Sequence, residues 1–311
     1  MVKIRFSTGE LYEGAEAISV YDAAASLGIV AREHITCRLN GELRELSAIV
    51  DGEAEVTLLT FKDEDGKHVF RHTAAHVMAQ AVKRLFPTTK QTIGPATETG
   101  YFQDFDAEVS FTPDVLKDIE AEMKKIVKEN LLIKREELSK EEALKLMTEL
   151  DEPYKVERIN ELPEDAIISI YRQGEYVDLC AGPHLRSTGM VKAFKLTQCT
   201  GAYYKGDQNN KQLQRVYGIA FPSKDELNAY VTAQEEALKR DHNKIGRELE
   251  YFTTVDAIGQ GLPILLPKGA RTIQLLQRWV EDEEQRRGYL LTKTPLMAKR
   301  DLYRISGHWD H

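Results

Sequence analysis

The chain has 311 residues, 42% of them hydrophobic and 30% charged, and a formal net charge of −8. That is an ordinary globular composition, long enough for two or three domains, and its acidic balance excludes a chain whose whole surface binds nucleic acid, so any RNA contact has to be a local patch. It contains neither a run of eighteen apolar residues nor a signal-peptide core, and three cysteines (Cys37, Cys180, Cys199) fit a reducing, cytoplasmic setting better than a disulfide framework.

Residues 1–62 read as a small α/β unit. Val2, Ile4 and Phe6 alternate on one face of a strand, STGE turns, and LYEGA returns as its hairpin partner. SVYDAAASLG is a short helix with Ser19 as N-cap, Asp22 three residues on and Gly28 as its stop. Asn40-Gly41 marks a second hairpin, and AEVTLLTF closes with a strand. Strands around one helix suggest a β-grasp, ubiquitin-like module. KDEDGKH (62–68) is polar and contains glycine, and reads as a linker.

VFRHTAAHVMAQAVKRLFP is helical until Pro87, with Ala75, Met78, Val82 and Leu85 as its apolar stripe. QTIGPATETGYFQDFD follows as turn-linked strand. A helix starts at Thr112-Pro113, and Ser139 to Glu142 is a capping box opening another. YKVERI, AIISIY and EYVDLC are strand-like, as are AFKLTQCTGAYYKGD and KQLQRVYGIAF. The mixture predicts an α+β domain with a largely antiparallel sheet. Ser223 to Glu226 is a further capping box, leading a charged connector helix through 249. Residues 250–311 carry a helix (GARTIQLLQRWVEDEEQRRG) and a strand (YLLTKTPLM).

Two pairs of donors stand out: His72 and His76, and Cys180 and His184. On a helix the first pair shares a face. If the fold sets the second pair opposite, four nitrogen and sulfur donors converge. Three His and one Cys suit zinc in ligand type, although HxxxH…CxxxH is not a finger spacing and no glutamate lies between the histidines. The same atoms can instead place water and move protons, or let Cys180 attack a carbonyl with His76 or His184 as base. Asp178 could hold an ammonium group or orient a histidine, and Lys155 could face a developing oxyanion. In TGAYYKGDQNNKQLQRVYG, Tyr203, Tyr204, Lys205, Asp207, Lys211 and Arg215 interleave aromatics with cations, a pattern suited to unpaired bases and phosphates, or to a hairpin whose tyrosines are core.

Taken together, FRHTAAH, IGPATETGYF, YKVE, DLCAGPHL, GAYYKGDQNNKQLQRVYG and KRDHNKIGREL resemble successive blocks of the bacterial threonyl-tRNA synthetases. The resemblance runs along the whole chain. It implies a β-grasp TGS domain (1–62), an α+β editing, or second additional, domain (63–222), a linker helix (223–249) and the start of a class II catalytic domain with motif 1 (250–311). The parent enzyme would join threonine to tRNA(Thr) with ATP, as a homodimer. The editing domain would hydrolyse seryl-tRNA(Thr), an error that one missing methyl makes hard to avoid.

By that resemblance His72, His76, Cys180 and His184 line the editing pocket. His72 and Lys155 would handle water and proton transfer, Asp178 the amino group, and Cys180 a hydrogen bond. The chain is expected to be an N-terminal piece that retains only ester hydrolysis. No cofactor is expected for it, because ATP with Mg²⁺ and the catalytic zinc belong to the parent enzyme. The alternative is a non-catalytic tRNA-binding module with a structural zinc on His72, His76, Cys180 and His184, since related alanyl-tRNA editing domains bind zinc with such a set. Ala181, Gln103, Tyr204 and Lys205 depart from the family's usual residues.

Overall fold

The structure is a computed structural model that describes residues 1–259 and 261–309; Gln260, Asp310 and His311, inside the predicted 250–311 segment, lie outside the described residues. The fold is mixed α+β, with mostly antiparallel sheets. It divides into two compact units, Met1–Val231 and a second from Thr232 onward.

The first unit opens with β1 (Val2–Phe6), β2 (Leu11–Gly14), β3 (Ile18–Ser19), α1 (Val20–Ser26), β4 (His34–Leu39), β5 (Glu42–Arg44), β6 (Ile49–Val50) and β7 (Glu53–Thr60). Its main sheet has the order β2-β1-β7-β4-β5, with β1 and β7 parallel. The β4–β5 turn needs left-handed backbone at both corner residues, and Asn40 (φ 50°) and Gly41 (φ 86°) supply it. Ser19 caps α1 by accepting from the Asp22 amide at 3.0 Å. Val2, Ile4, Phe6, Ala23, Ala24 and Val56 fill the core between helix and sheet.

Next comes α2 (Glu64–Leu85), which starts inside the segment read as a linker. Two features make those polar residues helical. Glu64 and Asp65 lie in the first turn, where the helix dipole favours acids. Gly66 packs against the end of β7 so closely that a Cβ would come 1.9 Å from the Thr60 carbonyl oxygen. Its glycine serves close approach, not flexibility. The predicted apolar stripe is also too narrow, because every residue of α2 from Val69 to Val82 except His72 is buried, as befits a helix at the centre of a fold.

Around α2 lie β8 (Lys90–Gln91), β9 (Tyr101–Asp106), α3 (Pro113–Glu129), β10 (Ile133–Leu138), α4 (Lys140–Glu149), α5 (Pro153–Asn160), β11 (Ile168–Gln173), β12 (Tyr176–Leu179), β13 (Ala193–Tyr203) and β14 (Gln212–Phe221). They form two antiparallel sheets where one was expected: β10-β11-β12 and β13-β14-β9-β8. Thr112 and Ser139 cap α3 and α4 as their sequences predict, the latter with a complete capping box. YKVERI is helix α5 and not a strand. Pro153 sits in its first turn, and Lys155 and Ile159, four apart, are its buried residues, so the working period is that of a helix.

The connector begins with α6 (Lys224–Lys239), and the predicted single helix breaks at Asp241, whose carboxylate caps α7 (His242–Glu248). The second unit continues with the short β15 (Phe252–Thr253) and β16 (Ile264–Leu265), then α8 (Pro267–Arg286) and α9 (Arg300–Ile305). YLLTKTPLM forms no strand. Leu290, Leu291, Leu296 and Met297 are all exposed, and a strand without a partner leaves its backbone groups unpaired.

Candidate functional site

The four predicted donors converge. His72, His76, Cys180 and His184 each offer one ligand atom, and these atoms lie within 4.8 Å of one another. α2 brings the first two imidazoles on adjacent turns, with ring centroids 5.1 Å apart. The loop after β12 brings the others. His184 stacks at 4.4 Å from His72 and 4.1 Å from His76. The Cys180 amide donates to the Ser169 carbonyl at 3.2 Å, and the Ser169 hydroxyl donates back to the Cys180 carbonyl at 2.7 Å. That exchange extends the β11–β12 ladder one residue and fixes where the loop begins.

Hydrogen bonding assigns the tautomers. The Thr73 hydroxyl donates to the Val69 carbonyl at 2.9 Å, so its single proton is committed. It accepts from the Leu185 amide at 2.9 Å. At 3.2 Å from His184 Nδ1 it must accept again, which puts the proton of His184 on Nδ1 and leaves Nε2 a lone pair. That Nε2 lies 3.3 Å from Cys180 Sγ and accepts a hydrogen bond from the thiol. The sulfur in turn accepts from the Gly182 amide and from His72 Nε2, each at 3.3 Å. His72 Nδ1 is left as a buried lone pair without a partner.

The quartet is electrically neutral. Burial drives the imidazoles of His72 and His76 down to about 3, with help from His76 in the first case and Lys155 in the second. Burial likewise holds His184 well below its ordinary value. Burial and, secondarily, Asp178 push the Cys180 thiol up to about 12. Cys180 is therefore a thiol at neutral pH, not the thiolate that nucleophilic attack requires.

Beside the quartet lies one buried ion pair. Lys155 Nζ of α5 is 2.8 Å from Asp178 Oδ1 of β12. The other oxygen, Oδ2, accepts from the Tyr176 hydroxyl at 3.2 Å and stands 3.5 Å from His76 Nε2. Asp178 thus pairs with the lysine and lies beside the His76 imidazole.

His72, His76, Lys155, Asp178 and Cys180 line a cavity of about 800 Å³, and His184 is buried behind them. Tyr203, Tyr204, Lys205 and Arg215 also line it; Asp207 and Lys211 do not. The rim cations already have carboxylates. Lys205 is 2.6 Å from both Glu157 of α5 and Glu161, the residue that caps its end. Arg215 makes a two-point contact with buried Asp104 at 2.7 and 2.8 Å and lies over the Phe102 ring. Lys211 pairs with Asp106 at 2.7 Å, and Asp207 turns its own loop by accepting from Asn209. Tyr203 is the half-exposed aromatic of the set.

Residue-by-residue reading missed two members of the site. Thr73 sits inside HTAAH and sets the His184 tautomer, a role that depends on a contact 111 residues away. Gln103, singled out only as a departure from a family pattern, is buried in the cavity wall with its Nε2 donor unpartnered.

The donor set suits zinc in ligand type and in two of its separations, although the four atoms spread up to 4.8 Å. With Zn–N near 2.1 Å and Zn–S near 2.3 Å, a tetrahedral edge is about 3.5 Å, close to the two 3.3 Å nitrogen–sulfur separations. The His184 Nδ1–H bond to Thr73 is the kind of outer contact a ligating histidine makes.

Comparison with known proteins agrees with the geometry. Residues 168–217, from β11 to β14, match the family described as threonyl and alanyl tRNA synthetase second additional domain. The whole chain is 57% identical to a threonine–tRNA ligase of Clostridium perfringens, over 48% of that protein's length. It is 47% identical to the threonine–tRNA ligase of Acetivibrio thermocellus, over 49% of its length, and 48% identical to that of Caldanaerobacter subterraneus, with 99% of this chain and 48% of the relative covered. The chain spans about half the length of the curated relatives it matches, and by sequence it belongs with the threonine–tRNA ligases, carrying their second additional domain.

Proposed function

We propose that the cavity hydrolyses the ester of seryl-tRNA(Thr), and that the whole protein joins threonine to tRNA(Thr) with ATP as a cytoplasmic homodimer. One observation carries the hydrolytic reading: a neutral, buried His–His–Cys–His quartet within 4.8 Å, set beside the Lys155–Asp178 pair in a cavity wall. On this reading the domains run 1–62, 63–222, 223–249 and 250–311. The sheet order β2-β1-β7-β4-β5 around α1 supports reading the first as a β-grasp TGS domain. ATP with Mg²⁺ and a catalytic zinc belong to the whole protein's ligation chemistry.

The roles follow from the hydrogen bonds. His72 Nδ1 is a lone pair at neutral pH, closed to solvent in this structure, and would accept from an attacking water once substrate binding admits one. A base this weak orients the water and does not retain its proton, so the proton passes on to the departing ribose oxygen. Lys155 supplies positive charge for the tetrahedral oxyanion. Asp178 offers the substrate ammonium its carboxylate. Cys180 holds His72 and His184 in register. A pocket of fixed size that admits serine and excludes the extra methyl of threonine gives the second sieve. Tyr203 and Tyr204 would stack terminal bases, with Lys205, Lys211 and Arg215 near the phosphates.

The test is deacylation of seryl-tRNA and threonyl-tRNA by the wild type and by His72→Ala, His76→Ala and Lys155→Ala. Each substitution should slow seryl-tRNA hydrolysis by roughly 100-fold or more, and threonyl-tRNA should be spared throughout. Unchanged rates in all three variants would overturn the assignment.

The donor geometry also supports a second reading, in which His72, His76, Cys180 and His184 hold zinc. A bound zinc would polarise the ester carbonyl or acidify a water. One equivalent of tightly held zinc, with hydrolysis lost on chelation, would select that reading over the metal-free one.

A further inference from the structure

A buried polar contact joins the N-terminal sheet to the strand behind the cavity. Glu45, just after β5, is 6% exposed, and Tyr171 of β11 is 2% exposed. The Tyr171 hydroxyl donates to the Glu45 carboxylate. A carboxylate buried this far is costly unless it is paired or hydrogen-bonded, and a phenol donating to it forms a strong, direction-setting bond. Two apolar side chains would join the modules at lower cost, so orientation is what this pair adds.

The oriented ring touches the quartet's loop at both ends. Tyr171 stands edge-on to His184, with ring centroids 4.5 Å apart and planes at 74°. Its hydroxyl closes over Gly182, where a Cβ would come within 1.8 Å of it. The Gly182 amide is a donor to Cys180 Sγ. On the ladder Tyr171 lies opposite Asp178. One ring therefore sets the position of His184, of the Cys180 hydrogen bond and of the strand carrying Asp178.

We propose that Glu45 is a positioning residue for the hydrolytic pocket, acting from the N-terminal module by fixing the Tyr171 hydroxyl and, through its ring, His184 and the Cys180 loop. The β-grasp module is then part of the pocket's construction, in addition to any RNA contact it makes. The proposal rests on the hydrolytic reading for its kinetic consequences, but its geometric content is testable without it.

The experiment uses the full chain with Glu45→Ala, Glu45→Gln, Tyr171→Phe, the Glu45→Ala/Tyr171→Phe double variant, and Glu42→Gln as a control on the neighbouring exposed surface. With seryl-tRNA, Glu45→Ala and Tyr171→Phe should each lower kcat by about tenfold or more with KM held to within about twofold. The double variant should be no worse than either single. Glu45→Gln should recover most of the rate, because its amide oxygen still accepts from the phenol.

The second readout is the ring C–H resonance of His184 in ¹H–¹³C spectra, assigned by loss in His184→Gln. It should shift in Glu45→Ala and Tyr171→Phe and stay in place in Glu45→Gln and Glu42→Gln. If the wild type lacks deacylase activity, the functional reading fails and the His184 resonance alone decides the positioning claim. An unmoved His184 resonance in both Glu45→Ala and Tyr171→Phe, or losses of kcat that simply multiply in the double variant, overturns the proposal. Should Glu45→Ala not fold, Tyr171→Phe, which keeps the ring, carries the same decision.

Discussion

Mild acid should destabilise the first unit and spare the second. The first unit buries three imidazoles held neutral: His72 and His76 at about 3 and His184 well below its ordinary value. In the unfolded chain each takes up a proton near pH 6.5. These are bases with depressed values, so the unfolded state binds more protons below pH 6.5. Their contribution is complete above that pH and is withdrawn as pH falls toward 3. Between pH 7.5 and 5.5 one such group changes from about one-tenth to about nine-tenths protonated in the unfolded state and stays neutral in the folded state. That costs ~1.4 kcal/mol per imidazole and ~4 kcal/mol for three. Against a typical total of about 5–15 kcal/mol the loss is large.

The assay follows urea unfolding at pH 7.5 and 5.5 by hydrogen exchange over residues 69–82, which report the first unit. Both tryptophans, Trp279 and Trp309, lie in the second unit, where His242 and His308 are exposed. Tryptophan fluorescence on the same samples is therefore an internal control and should show a much smaller shift. With a slope of about 2–3 kcal/mol per molar urea, the first unit's midpoint should fall by roughly 1.5 M. In His76→Gln the pH dependence should shrink by about a third, ~1.4 kcal/mol. A first-unit midpoint that is the same at both pH values, or higher at 5.5, would show that the folded quartet carries a proton and would refute its neutrality.

Thr73→Val keeps shape but removes the acceptor shared by His184 Nδ1–H and the Leu185 amide. It should cost about 1–3 kcal/mol in urea unfolding and, with the tautomer released, lower kcat more than it raises KM for seryl-tRNA. Arg215→Ala leaves Asp104, 3% exposed, without its two-point partner. It should destabilise the first unit by about 3–5 kcal/mol, with Arg215→Ala/Asp104→Asn recovering most of the loss, so a phosphate contact by Arg215 is read from RNA binding by the refolded double variant. Tyr203, half-exposed at the cavity, should contribute roughly 1–3 kcal/mol of base stacking, and Tyr203→Ala should raise KM for seryl-tRNA while leaving kcat and the urea midpoint near wild type.

What the sequence disclosed depended on how far apart the interacting residues are. Ser19, Thr112 and Ser139 cap helices a few residues on, and Asn40-Gly41 turns on itself, so these elements were legible locally. His72 and His76 were legible as neighbours for the same reason. Their apposition to Cys180 and His184 spans more than a hundred residues and was conditional until the fold supplied it. Lys155 was expected on a strand and stands on a helix, because Tyr154 and Val156 mimic a strand's alternation while Lys155 and Ile159 point inward at helical spacing. Gly66 read as a linker glycine because the carbonyl it packs against belongs to another element. Glu45 with Tyr171, 126 residues apart, left no local signal at all.

The Lys155–Asp178 pair sharpens how the proposed hydrolysis would have to run. Asp178 faces the Lys155 ammonium with Oδ1, in an ion pair without hydrogen-bond geometry, and accepts from Tyr176 with Oδ2, which also stands 3.5 Å from His76. A substrate ammonium arriving at Asp178 therefore meets Lys155 as a like charge. Two cations cannot share that carboxylate closely in a buried setting without strong repulsion. If the ammonium takes Asp178, Lys155 is displaced toward the ester, where the carbonyl oxygen becomes an oxyanion. Binding the amino acid's own charge would then deliver the charge that stabilises its transition state. An analogue with a neutral group in place of the α-amino group would leave Lys155 on Asp178. On the proposed reading it should lose kcat as well as affinity, whereas a pocket that uses Asp178 for binding alone would show the loss in KM only.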